Sequence, residues 1–222
     1  MAKMKNAKVW IDDALRMIEN EIPDAKEVVA NLPIGFSTAN NWVKRRDEIA
    51  QACGESKEKR KAIEKEVHNK NIYGEFIFGT KGQAILLRTD LLRSKIYFFR
   101  ACVHEIMHAY YYQKEAQTGA PYVACQNGQH PDENVQIGYD FWTEFIAETL
   151  AIRICSKYNF EWNRPIAGDL QSDVSTIVEN RESEGIIGMF YATLFSDSRL
   201  DGITDRKDVL KTATKDIVVA NK

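Results

Sequence analysis

The 222-residue chain is short of cysteine, of long apolar runs and of any excess of one charge, and each shortage removes a class of protein. Its four cysteines, Cys53, Cys102, Cys125 and Cys155, are dispersed and form no C-x-x-C pair. A disulfide-stapled scaffold is excluded, because a chain of this length buries enough apolar surface to fold without staples. The thiols are expected to be reduced and mostly buried. The longest apolar stretch, around Ile186–Ala192, is interrupted by glycine and far too short to span a bilayer. Met1–Met17 holds no apolar core segment or small-residue cleavage site, so no signal peptide is readable and a soluble, cytoplasmic protein is expected. Charge is balanced, 30 Lys+Arg against 32 Asp+Glu. The basic blocks Lys44–Arg46 and Lys57–Lys61 are short and interleaved with acids, so neither nucleic acid nor membrane is expected as a partner.

What is present is mostly helical periodicity. Trp10, Ile11, Leu15 and Ile18 recur at spacings of three and four, which predicts an amphipathic helix over Lys8–Ile22 that ends before Pro23. Further helices are predicted over Thr38–Cys53 and, charge-rich and exposed, over Ser56–Lys70. The pattern then changes. Two runs of aromatic and branched residues between Ile72 and Thr89 flank Gly79-Thr80-Lys81-Gly82, which predicts a β-hairpin. Ile96, Phe99, Val103, Ile106 or Met107, and Tyr110 mark one face of a strong helix over Ser94–Lys114. Thr118–Gly138, with three glycines and two prolines, reads as a long loop, a feature uncommon unless functional. A second buried helix follows over Tyr139–Tyr158, striped by Trp142, Ile146, Leu150 and Ile154 with Phe141 and Phe145 beside them. The last helices are expected at Leu170–Glu182, Ile186–Phe195 and Arg206–Val219. The fold class is α+β, mainly helical, with a small sheet or hairpin before the central helix. Three segments are expected within one compact unit: a helical N-terminal part (1–70), a core (71–160) and a helical C-terminal lobe (161–222).

Histidine is scarce, four in all, yet two stand four apart in His104-Glu105-Ile106-Met107-His108. Residues at that spacing project from one helix face on successive turns, so both imidazoles can reach one cation. Glu105 lies about a third of a turn from His104, where its carboxylate can take a proton from metal-activated water. With four His and eighteen Glu in the chain, random placement produces the pattern with a probability of roughly 0.006. The match also falls inside an apolar helix, where two histidines and a glutamate need partners. Both points favour a metal site over an accident.

Catalytic zinc takes three protein ligands and keeps a fourth position for water. On the second buried helix, Glu144 and Glu148 stand four apart among Phe141, Trp142, Phe145 and Ile146. Two acids in such surroundings are costly unless neutralised. The economical account makes Glu144 the third ligand and lets Glu148 hydrogen-bond a ligand histidine. His130, in the loop Gln129-His130-Pro131, is the competing third ligand. His68 is read as solvated and Cys102 as packing.

His104-Glu105-x-x-His108 followed by a helix bearing Glu144-x-x-x-Glu148 resembles the gluzincin clan of zinc metallopeptidases, over about Ile72–Tyr158. The resemblance implies a zincin-like core, with zinc on His104, His108 and Glu144 and an acidic buttress at Glu148. It also implies that an extended peptide lies along a sheet edge before the motif, here Gln83–Thr89. Two departures stand out: the buttress is Glu where Asp is commoner, and 36 positions separate His108 from Glu144. The metzincin extension H-E-x-x-H-x-x-G-x-x-H is absent, since Ala109-Tyr110-Tyr111-Tyr112-Gln113-Lys114 follows the motif. The expected function is that of a zinc metalloendopeptidase acting on a peptide or protein, with Glu105 as general base. Tyr191, Arg181 and His130 are candidates for stabilising the oxyanion. The alternative is a zinc-binding regulatory or interaction protein on a peptidase-like fold.

Overall fold

The computed structural model describes residues 2–66, 73–90, 95–118 and 133–158. These hold α1 (Ala2–Glu21), α2 (Ala25–Val29), β1 (Ile34–Ser37), a 3-10 turn (Ala39–Asn41), α3 (Trp42–Cys53), α4 (Lys57–Glu66), β2 (Gly74–Gly79), β3 (Gly82–Arg88), α5 (Lys95–Thr118) and α6 (Glu133–Lys157). The arrangement is mainly helical with a small three-stranded sheet, as the patterning predicts. No described helix is long and apolar enough to cross a membrane. Two compact units make up the chain, Met1–Tyr110 with Lys157–Phe160, and Tyr111–Ser156 with Glu161–Lys222. The expected helices at Leu170–Glu182, Ile186–Phe195 and Arg206–Val219, together with His68, Cys125, His130, Arg181 and Tyr191, lie outside the described residues.

In the first unit the sheet runs in the order β1-β3-β2. The expected hairpin is there: β2 pairs antiparallel with β3, from Gly74 opposite Leu87 to Gly79 opposite Gly82. β1 was not predicted. Its four residues, Ile-Gly-Phe-Ser, are too few to show an alternation, and it pairs in parallel with β3, a partner far along the chain. This addition overturns one expectation. β3 is the central strand, with both of its backbone edges in ladders, so Gln83–Thr89 cannot be the edge that receives an extended peptide. Among the described residues the edges belong to β1 and β2.

Both faces of β3 are covered, which is why Ala84–Leu87 reads as a continuous apolar run. Trp42, Ala50 and Cys53 of α3 pack on one face against Ile77, Ala84 and Leu86. Cys53, Cys102 and Cys155 are buried and in no disulfide, as expected, and burial, with the nearby Glu55 charge, pushes the Cys53 thiol up. α3 ends at Gly54, whose φ of +80° is the left-handed conformation that a helix C-terminus takes most easily at glycine. The Glu55 amide then donates back to the Ala50 carbonyl at 2.9 Å, and the Lys81 amide of the hairpin turn donates to the Cys53 carbonyl at 2.8 Å. The helix end is thereby fastened to the hairpin.

A buried charge cluster adds a second fastening. Arg46 of α3 donates to both carboxylate oxygens of Glu55, the Nη2 bond being 2.9 Å, and its Nε donates to Glu75 Oε1 of β2 at 2.9 Å. Lys59 Nζ, 3.5 Å from Glu55, balances the second acid. Glu75 Oε2 is buried without a hydrogen-bond partner among the described residues. Burial accordingly raises the Glu75 carboxyl above the usual range, with Arg46 opposing the rise. A carboxyl raised in the folded state binds its proton more tightly there than in the unfolded chain. Its contribution is therefore present below the ordinary carboxylate value and is lost as pH rises through the raised one. Glu75→Gln removes this titration. The melting temperature of the variant relative to the native protein should thus shift in the variant's favour between pH about 4 and pH about 7. A difference that stays constant across that range would count against the assignment.

In the second unit the described residues are the end of α5 and most of α6. α6 begins at Glu133, so the last part of the expected loop Thr118–Gly138 is helical, and the apolar stripe from Tyr139 marks only its continuation. Phe145, Ala147, Glu148, Ala151 and Ile154 are among its buried residues.

Candidate metal centre

α5 carries the motif, and it is buried nearly all round: Phe98, Phe99, Cys102, Val103, Ile106, Met107 and Ala109 are each at most 1% exposed. A helix apolar on every side belongs in a core. Ile96, expected on the apolar face, is exposed at the helix start. Trp10 of α1 packs on Phe98 and Phe99 with ring centroids 5.5 and 6.4 Å apart. The Tyr110 hydroxyl donates to the two carboxylate oxygens of Asp24 at 2.9 and 3.0 Å. These contacts fix α5 on either side of the motif.

His104 and His108 sit on successive turns with their Nε2 atoms 2.9 Å apart and their rings crossed at 76°. His104 and Glu105 are buried, and His108 is half-buried. Glu144 of α6 is half-buried, and Glu148, one turn on, is buried. His104, His108 and Glu144 each offer a ligand atom, and these atoms lie within 4.8 Å of one another. No other group of three such residues occurs among the described residues. Two imidazole nitrogens and one carboxylate oxygen form a donor set that suits zinc and leaves a coordination position over. Two nitrogens on one tetrahedral zinc stand about 3.3 Å apart, so the histidine pair needs a shift of only a few tenths of an ångström. The residues present fit the ion.

One neighbour of the motif was missed in the sequence. Gly74, the first residue of β2, lies directly against the Glu105 side chain. Its signal was available, since a glycine inside a strand pattern marks a close approach by another group. No protein-family model, curated protein or solved structure matches the chain.

Proposed function

We propose that this protein is a zinc-dependent metallopeptidase of the gluzincin type. The observation that carries the reading is the pair of imidazoles 2.9 Å apart on one buried helix with a buried glutamate between them. A purely structural zinc site is closed by four protein ligands, usually including cysteine, and has no use for a base. His104, His108 and Glu144 would hold the ion, and Glu148 would orient one of the histidines. When bound, zinc supplies Lewis acidity, polarising a carbonyl and making water a stronger acid. Glu105 accepts the proton of the attacking water and returns it to the leaving amine. An extended peptide would lie along the edge of β2, the strand whose first residue touches Glu105.

Metal analysis combined with a protease assay tests the reading. The full chain, purified without chelators, should carry about one equivalent of zinc and hydrolyse an unfolded protein such as casein. Treatment with 1,10-phenanthroline should stop hydrolysis, and added zinc should restore it. A folded protein with no zinc, or hydrolysis indifferent to the chelator, would sink the proposal.

A further inference from the structure

Gly74 has no conformational reason to be glycine. It lies in a regular antiparallel ladder opposite Leu87 and is not among the glycines with positive φ. In such a place glycine weakens a strand. What it provides is room. A Cβ at position 74 would stand 2.7 Å from Glu105 Cγ, 3.0 Å from Glu105 Oε1 and 3.0 Å from Leu87 Cδ2. The first distance is below any that real Cβ atoms tolerate, and the atoms it displaces belong to the side chain whose carboxylate is read as the base.

We propose that Gly74 is a positioning residue for Glu105: the bare backbone of β2 is the wall against which the glutamate side chain rests, and it sets where the carboxylate stands. The role rests on the metallopeptidase reading above, because only there is Glu105 a base. Glutamate has three rotatable bonds, so burial alone does not define the place of its oxygens. A surface pressed against Cγ and Oε1 together removes much of that freedom. The requirement is strict, since a base transfers a proton only within hydrogen-bond reach, about 2.6–3.2 Å. A displacement of about 1 Å can lower a rate by about 100-fold. Alanine at 74 can be accommodated by moving Glu105, so its effect should fall on chemistry more than on folding.

The test is a cycle of four full-length proteins: native, Gly74→Ala, Glu105→Ala and the double variant. Peptide hydrolysis is followed in the zinc-loaded proteins, zinc binding by titration, and melting temperature in the chelated proteins. Gly74→Ala should lower kcat by about 100-fold, leave KM and zinc affinity within about three-fold, and lower the melting temperature by about 5 °C. In the Glu105→Ala background the same substitution should leave the melting temperature nearly unchanged, because the displaced atoms are gone. Equal losses of melting temperature in both backgrounds would overturn the proposal, as would a parallel fall of kcat, KM and zinc affinity. If Gly74→Ala alone fails to fold, a folded double variant supports the contact, and failure of both overturns it. Native protein without turnover overturns the peptidase reading and this role with it. Native turnover that Gly74→Ala leaves unchanged overturns the positioning role alone.

Discussion

Glu105→Gln should lower peptide-hydrolysing turnover by about 10²- to 10⁴-fold while zinc stoichiometry and melting temperature stay at native values. Glutamine keeps the shape of glutamate, so the packing of the side chain against Gly74 is preserved. It cannot accept and return a proton. The histidines that would hold the ion, His104 and His108, are untouched, and the loss should appear in kcat and not in KM. This pattern also separates the peptidase from a zinc-binding regulatory protein, in which the glutamine variant would bind zinc and behave as the native chain. Proteolysis unchanged by Glu105→Gln would remove the glutamate from the role of base.

Arg46→Met should produce the largest loss of stability, about 3–5 kcal/mol, because it leaves buried Glu55 and half-buried Glu75 without their shared cation. The side chains of Arg46 and Glu55 are only 5% and 2% exposed, so water cannot take the place of the guanidinium. Burial opposes the charge on Arg46, but the hydrogen bond and field of Glu55 and the field of Glu75 outweigh it and raise the guanidinium pKa. For a chain of this size the loss corresponds to a fall in melting temperature of about 6–20 °C. Thermal unfolding followed by circular dichroism measures it. A loss under about 1 kcal/mol, the size expected of an exposed pair, would show that the cluster is not coupled to folding. The measurement is best made on zinc-free protein, because a bound ion stabilises the folded state by mass action.

The hairpin and the helix bearing His104 and His108 were legible because their signals are local. A Gly-x-x-Gly turn between apolar runs and an i, i+4 histidine pair each lie within a short window. α1 was legible for the same reason, through Trp10, Ile11, Leu15 and Ile18. β1 was not, since four residues containing a glycine carry no period and their pairing depends on Ile85–Arg88 far downstream. The same omission made Gln83–Thr89 read as an edge strand, because a hairpin read alone has two edge strands and only the third strand shows that β3 is central. At the site, the spacing His104–His108 and the paired Glu144 and Glu148 could be read from helical geometry. Gly74 could be read as a place of close approach, but not as the partner of Glu105, because that contact joins a strand to a helix that no window spans. The Arg46–Glu55–Glu75 cluster was hidden in the same way, because it joins α3 and the turn after it to a strand far along the chain.

The parallel pairing of β1 with β3 has a consequence for the order in which the chain folds. β2 and β3 meet across a tight turn, Gly79 opposite Gly82, and can zip locally, whereas Ile34 must find Ile85 after α3, α4 and the hairpin have been passed. Closing that long loop loses chain entropy before the contacts it brings can compensate. Docking of β1 is therefore a late event, and a mutation in Ile34–Ser37 should act mainly by speeding unfolding, not by slowing the collapse that first assembles the hairpin.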